Sequence, residues 1–220
     1  MPFSTRREPT MKQHYWIAIG AFLTGLLVWL AFFWQPDAPN PALPDQFHNL
    51  RQPSGPLPAG DFAVTTPDGT FSLADYRGKI VLVYFGYTFC PDVCPTSLAA
   101  LGQAFAALSA EELARVKGVF VSVDPERDTL EILKVYAPFF HPNIIGATGT
   151  TEQLADIARR YGVSYMKQKS IDGRPYTVDH SSFTYLIGPD GKLAVTLPHG
   201  SSPEELVAAI RLQLTGKKNN

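Results

Sequence analysis

The pattern of apolar and polar residues divides the chain into one apolar run, one proline-rich stretch and a region of alternating strand and helix periods. The apolar run, Tyr15 to Trp34, contains no charged residue and only Thr24 as a clearly polar one. Twenty helical residues rise about 30 Å, which matches the hydrocarbon core of a bilayer. The run therefore predicts a single transmembrane anchor over residues 15–34.

A cleaved signal peptide is the alternative interpretation of this run. Its length is large for a signal peptide, and bulky Phe32, Phe33 and Trp34 stand where small residues would precede a cleavage site. We therefore expect the segment to be retained as an anchor.

The basic residues around the run predict its orientation. Arg6, Arg7 and Lys12 precede it, and no Lys or Arg follows until Arg51. The positive-inside rule then places residues 1–14 in the cytoplasm and everything after the anchor across the membrane. We expect a bacterial inner membrane with the domain in the periplasm; the mitochondrial inner membrane is the alternative. Both settings permit disulfides.

Residues 35–60 carry seven prolines and little apolar periodicity, which predicts an extended linker. The folded domain is expected at 61–214, with a short tail at 215–220. Within the domain, Ile80 to Tyr87 and Val116 to Val123 are continuous apolar runs typical of strands that are buried on both faces.

Further elements follow from turn and cap signals. Pro67-Asp68-Gly69 and Pro189-Asp190-Gly191 predict two hairpins. Asp128 followed by Glu131 has the spacing of a capping box, so Asp128 is the predicted N-cap of a helix. Other predicted elements are a helix after Cys94, a strand at 144–147, a helix capped by Thr150 and Gln153, and a terminal helix opened by Ser202, Pro203 and Glu205. This order of elements predicts a three-layer α/β domain with a mixed sheet.

Composition and charge exclude one class of function. The formal net charge is -1, and no basic stripe interleaved with aromatic residues is present. Nucleic acid is therefore not an expected partner.

The chain has only two cysteines, and both lie in Cys90-Pro91-Asp92-Val93-Cys94-Pro95, between the predicted central strand and a helix. A thiol at a helix N-terminus favours its thiolate form. A structural disulfide across so small a loop would stabilise the fold little, and two buried inert thiols fit the flanking polar residues poorly. A redox dithiol and a soft metal site both remain, and two thiolates suit Cu(I) better than zinc, which normally takes four ligands.

Three blocks of sequence form a pattern: the segment 78–95, the segment Ser122 to Thr129, and Val178-Asp179-His180 with the following segment 185–191. Together these blocks resemble the Sco/SenC family of copper-delivery proteins. The resemblance covers essentially the whole domain in order. It implies a thioredoxin-like fold, and copper held as Cu(I), or as Cu(II) with an added oxygen ligand, by Cys90, Cys94 and His180.

The same resemblance implies a partner, the dinuclear copper site of cytochrome c oxidase subunit II, to which a metallochaperone would deliver copper. The donor of the copper is unknown. The rival hypothesis is a thiol–disulfide oxidoreductase that reduces the cysteines of that target through Cys90 and Cys94. A third option is a redox sensor, which nothing in the sequence favours.

Several other residues near these blocks receive minor roles. Asp179 is expected to orient His180, Asp124 is not expected to bind soft Cu(I), and Met166 is expected to pack. No metal is assigned to the four remaining histidines, His14, His48, His141 and His199.

Overall fold

The structure is a computed structural model, and it describes residues 11–33, 59–170, 173 and 175–215. The chain divides into two compact units, Met1–Asn49 and Leu50–Asn220. The predicted linker up to residue 58, residues 1–10, Trp34 and the tail from residue 216 lie outside the described residues.

The first unit contains helix α1, Met11–Phe33. Its lone polar residue in the apolar run, Thr24, donates its hydroxyl to the Gly20 carbonyl at 2.7 Å. Among the helices of the described residues, none is long and apolar enough to cross a membrane. The transmembrane anchor therefore stays a prediction.

The second unit is built on a five-stranded sheet in the order β5-β4-β3-β8-β9. These strands are β3 Ile80–Gly86, β4 Val116–Ser122, β5 Ile144–Ala147, β8 Phe183–Ile187 and β9 Leu193–Pro198. β3, β4 and β5 are parallel, whereas β8 and β9 are antiparallel to their neighbours. The sheet is mixed, as predicted, and every residue of central β3 is buried.

Among the described residues, two shorter sheets and five helices complete this unit. A hairpin joins β1 Ala63–Thr66 to β2 Gly69–Ser72, and a second pairs β6 Tyr165–Lys167 with β7 Val178–His180. The helices are α2 Val93–Ala106, α3 Ala110–Leu113, α4 Leu130–Phe140, α5 Thr151–Tyr161 and α6 Pro203–Leu214, besides one 3-10 turn at Leu73–Tyr76. The β6–β7 hairpin was not predicted, because strands of three residues carry little sequence signal.

Neighbouring residues of a strand point to opposite faces of the sheet. Helices cover both of these faces. Phe85 packs against Tyr161 of α5, with ring centroids 6.0 Å apart. Phe120 packs on the other face against Tyr136 of α4, at 5.2 Å. α2 also packs against α4 and α6. This arrangement explains why the predicted strands lack apolar–polar alternation.

The cap predictions were partly right. Thr150 with Gln153 and Ser202 with Glu205 form capping boxes as expected. Asp128 is not an N-cap: α4 begins at Leu130, and the Thr129 hydroxyl accepts from the Ile132 amide at 3.4 Å. The prediction failed because the fully buried Asp128 carboxylate is engaged by partners outside the helix.

We expect Gly86→Ala to destabilise the domain by about 1–3 kcal/mol, as overpacking of a core does. A Cβ at position 86 would lie 2.6 Å from Cys94 Sγ and 3.0 Å from the Phe120 ring. Urea unfolding of the reduced protein measures the change. The control is Gly188→Ala, where the nearest atoms, 3.2 and 3.3 Å away, belong to the side-chain ends of Asp190 and Gln213. Equal stability of Gly86→Ala and the parent would contradict this close packing.

Candidate metal centre

The two cysteines lie on the segment that joins β3 to α2. Cys90 is in the loop after the strand, and Cys94 is the second residue of the helix. Both thiols are free, and both are buried, Cys94 completely. The position at a helix start places Cys94 near the positive end of the helix dipole, which favours negative charge there.

His180, the last residue of β7, reaches the thiols from the small hairpin. Its Nε2 lies 3.1 Å from Cys94 Sγ. Its Nδ1 lies 3.1 Å from the Ser181 carbonyl oxygen. Nε2 is thus the ring nitrogen that faces the thiols, and a ring nitrogen binds a metal through its lone pair.

Aromatic rings hold the imidazole in place. Tyr84 and Tyr87 meet His180 edge to face, with ring centroids 6.2 and 5.9 Å apart. The Tyr84 hydroxyl donates to the Val93 carbonyl at 3.3 Å, at the start of α2. Burial, and to a lesser degree the nearby Cys94 sulfur, raise the pKa of Tyr84. A neutral phenol therefore stays beside the thiols.

The prediction that Asp179 orients His180 was wrong. Successive residues of a strand point to opposite faces, so the Asp179 side chain is directed away from the imidazole. It is exposed, and it accepts a hydrogen bond from the Gln168 amide nitrogen. The partner of Nδ1 is instead the backbone of the next residue, which no sequence pattern marks.

The two thiols have opposite protonation tendencies. The pKa of Cys90 is held well below its ordinary value, chiefly because Cys94 donates a hydrogen bond to it, with His180 and backbone donors adding to the effect. The pKa of Cys94 is raised, because its proton is shared with the Cys90 sulfur and because the group is buried. The pair thus carries one negative charge and one proton.

Together Cys90 Sγ, Cys94 Sγ and a His180 ring nitrogen form a group that can hold a metal ion. The three atoms lie within 4.8 Å of one another. Among the described residues this is the only such group of three or more His, Cys, Asp and Glu. Two sulfurs and one nitrogen are a soft donor set, and three donors suit Cu(I).

The other histidines have different surroundings where the structure describes them. His141 Nδ1 accepts from the Asn143 amide at 3.0 Å, and the His141 ring packs on Phe105. His199 Nδ1 lies 2.9 Å from the Ser97 hydroxyl. The His14 side chain and all of His48 lie outside the described residues.

Buried Asp128 fixes the start of the cysteine loop. Its carboxylate accepts from the Thr88 amide at 2.9 Å, from the Thr88 hydroxyl at 2.6 Å and from the Ser122 hydroxyl at 2.5 Å. The loop before Cys90 is therefore tied to the end of β4. Sequence reasoning missed this role, because Thr88, which links Asp128 to the cysteine loop, is 40 positions away in the chain.

Met166 was expected to pack, but 61% of its surface is exposed. In the register of the hairpin it pairs with Asp179, whereas Tyr165 pairs with His180. Met166 therefore shares a face with Asp179 and is directed away from the thiols.

The fold and the site define a thioredoxin-like domain with two thiols and an imidazole at the end of its central strand. A family model described as SCO1/SenC matches residues 51–215, well over half of the chain. The chain therefore belongs to the SCO1/SenC family.

Known proteins and solved structures agree with this membership. The chain is 42% identical over 154 residues to the mitochondrial SCO2 homolog of Mus musculus, an alignment that covers 69% of this chain and 60% of the mouse protein. The chain thus spans less than two thirds of the length of that relative. A structure of Arabidopsis thaliana ScoI with copper bound is 34% identical, with a TM-score of 0.66, over 72% of this chain and 99% of that one.

A further solved structure is that of BsSco, described as a member of the Sco family of cytochrome c oxidase assembly proteins with a disulfide switch. It is 26% identical, with a TM-score of 0.57, over 76% of this chain and 100% of that chain. These likenesses confirm the predicted fold.

We expect Cys90 of the reduced protein to react with iodoacetamide well below pH 8.5, the pKa of an ordinary thiol. A lowered pKa keeps the reactive thiolate populated as the pH falls, so the midpoint of the rate profile moves to lower pH. Cys94→Ala removes the main donor and should move the midpoint upward. Mass spectrometry of the alkylated protein gives both profiles.

The Cys90→Ser variant is the complementary control. Buried Cys94 should then react slowly at neutral pH. A parent midpoint near pH 8.5 would show that the two thiols do not share a proton.

Proposed function

We propose that this protein is a copper metallochaperone that binds copper through Cys90, Cys94 and His180. It would deliver the metal to the dinuclear copper site of cytochrome c oxidase subunit II. The observation that carries the proposal is the 3.1 Å approach of His180 Nε2 to Cys94 Sγ, which completes a three-atom donor group. The target rests on the family, whose member BsSco is described as a cytochrome c oxidase assembly protein.

The chemistry of the donor group supports copper as the cargo. Thiolates are soft ligands, and with one imidazole they suit trigonal Cu(I). Cu(II) would be held by the same residues with an added oxygen ligand. The lone proton of the pair leaves when both sulfurs bind the metal, so loading releases a proton.

The place of the site on the surface supports transfer of the metal. Cys90 is in a loop rather than in the helix, and at 9% exposure it is the less buried of the two cysteines, Cys94 being at 0%. A thiolate of the acceptor would therefore approach from the side of Cys90. Copper would pass through intermediates in which donor and acceptor thiolates share the ion.

Residues 15–34 are proposed to anchor the protein to a bacterial inner membrane with the domain in the periplasm. The mitochondrial inner membrane is the alternative. The support is the uncharged run and the basic residues that precede it. Such an anchor would keep the carrier in the membrane where the oxidase is assembled.

The unequal thiols favour one second function, reduction of a disulfide in the target. The Cys90 thiolate would attack one target sulfur, forming a mixed disulfide and releasing the other target thiolate. Cys94 would pass its proton to the released target thiolate and then attack the Cys90 sulfur, which frees the second target thiolate and leaves a Cys90–Cys94 disulfide. The protein would be oxidised by two electrons and the target reduced by two.

Anaerobic Cu(I) titration of the reduced full-length protein in detergent, against a chromophoric competitor, tests the carrier proposal. We expect one tight equivalent. His180→Ala should weaken binding by about tenfold or more, because one of three metal–ligand bonds is lost. The Cys90→Ser/Cys94→Ser double variant should abolish tight binding.

His199→Ala is the matched control, because it removes an imidazole that contacts Ser97 rather than the thiols. It should bind copper as the parent does. If the parent binds copper no better than the double cysteine variant, the protein is not a copper carrier. Disulfide exchange that is unaffected by His180→Ala would then support the reductase.

A further inference from the structure

The hairpin that carries His180 is too small to be stable by itself. β6 and β7 have three residues each and form a two-stranded sheet apart from the central one. Isolated two-stranded hairpins are marginal in water. At its base, the Ser181 amide donates to the Ser164 carbonyl at 2.8 Å. The position of His180 therefore depends on what ties the rest of the hairpin to the domain.

Arg127, in the segment between β4 and α4, provides such a tie. Its Nη1 donates to the Tyr176 carbonyl oxygen at 2.8 Å, just before β7. Its Nε donates to Asp124 Oδ2 at 2.6 Å. The guanidinium carbon lies 3.6 Å from the centroid of the Tyr176 ring. One side chain thus joins the end of β4 to the hairpin by a hydrogen bond and a cation–π contact.

The same guanidinium also covers the cysteine loop. It lies 4.9 Å from the ring centroid of Phe89 and 5.6 Å from that of Tyr87. The Tyr87 ring packs edge to face on His180. Arg127 therefore contacts both the loop that holds Cys90 and the aromatic ring that supports the imidazole.

Asp124 holds the guanidinium of Arg127 in place. It is fully buried, and its second carboxylate oxygen accepts from the Tyr176 hydroxyl at 2.8 Å. Lys167 of β6 lies 3.8 Å from the same oxygen. The carboxylate thus contacts the hairpin on both sides, at Lys167 of β6 and at Tyr176 just before β7. It also orients Arg127, whose side chain is only 16% exposed.

The guanidinium of Arg127 has acceptors on Nε and Nη1 and aromatic rings near it. Within the described residues, its Nη2 is buried and has no hydrogen-bond partner. A planar guanidinium can donate at its edge and stack on its face at the same time, whereas the compact ammonium of lysine cannot. The site therefore depends on arginine and not only on a positive charge.

We propose that Arg127 is a positioning residue that clamps the β6–β7 hairpin onto the cysteine loop and so sets His180 beside the two thiols. Its contribution to copper binding rests on the proposed function. Its contribution to the conformation of the hairpin does not.

The first test measures the hairpin without metal. Amide hydrogen exchange is compared in the full-length parent, Arg127→Lys and Arg127→Gln, all reduced and copper-free. Exchange at residues 165–168 and 178–181 should become about tenfold faster in both variants, which corresponds to a loss of about 1.4 kcal/mol of local protection. Amides of β3 should keep their protection, which shows that each variant is folded.

Arg159→Gln is the matched control, because Arg159 is 75% exposed and pairs only with Asp156 of its own helix among the described ion pairs. It should leave hairpin exchange unchanged. Unchanged hairpin exchange in both Arg127 variants would overturn the proposal. If Arg127→Gln does not fold, Arg127→Lys decides, because it keeps the charge beside Asp124.

The second test is a double-mutant cycle on Cu(I) affinity with Arg127→Lys and His180→Ala. A residue that acts through His180 should weaken binding in the parent background and have little effect once His180 is absent. Equal effects in both backgrounds, or no effect in either, would overturn the positioning role. If the parent itself binds no copper, the carrier proposal fails, and the exchange measurement still decides whether Arg127 clamps the hairpin.

Discussion

The contact between Cys94 Sγ and His180 Nε2, 3.1 Å long, is the interaction on which the site depends. It joins the first turn of α2 to a hairpin outside the central sheet. The helix start is rigid because β3 and α2 are both packed in the core. The hairpin is a small appendage. The position of His180 relative to the thiols therefore depends on the groups that hold the hairpin in place.

Two buried carboxylates supply much of that support. Asp124 and Asp128 are both fully buried, and an ionised carboxylate is costly to bury unless donors surround it. Asp128 takes its donors from Thr88 and Ser122, and Asp124 takes its own from Arg127 and Tyr176. One carboxylate thus fixes the cysteine loop, and the other fixes the hairpin. Neither needs to bind metal to matter to the site.

The asymmetry of the two thiols suits the proposed carrier, which would both take up and release its cargo. The thiolate character of Cys90 favours it as the nucleophile or the first ligand, and at 9% exposure it is the less buried of the two cysteines. Cys94 is fully buried and keeps its proton. Carrier and reductase chemistry begin from the same state of the pair, so the third donor, His180, is what separates them.

The sequence by itself determined the layers of the domain and the identity of the three candidate ligands. Long runs such as Ile80 to Tyr87 predict central strands because burial on both faces demands continuous apolar residues. Cys90 and Cys94 were identified from their spacing in the sequence, and His180 was identified through the family resemblance. These features are local, or are recognisable as blocks of sequence.

Only the tertiary structure decided the surroundings of those ligands. Asp128 has the local spacing of an N-cap, yet its partner Thr88 is 40 positions away. The role of a buried carboxylate is set by the hydrogen-bond donors around it and not by its spacing in the sequence. The role of Arg127, the exposure of Met166 and the carbonyl partner of His180 depend in the same way on the three-residue strands of the β6–β7 hairpin. Contacts between segments that are far apart in the chain leave no periodicity for a single sequence to reveal.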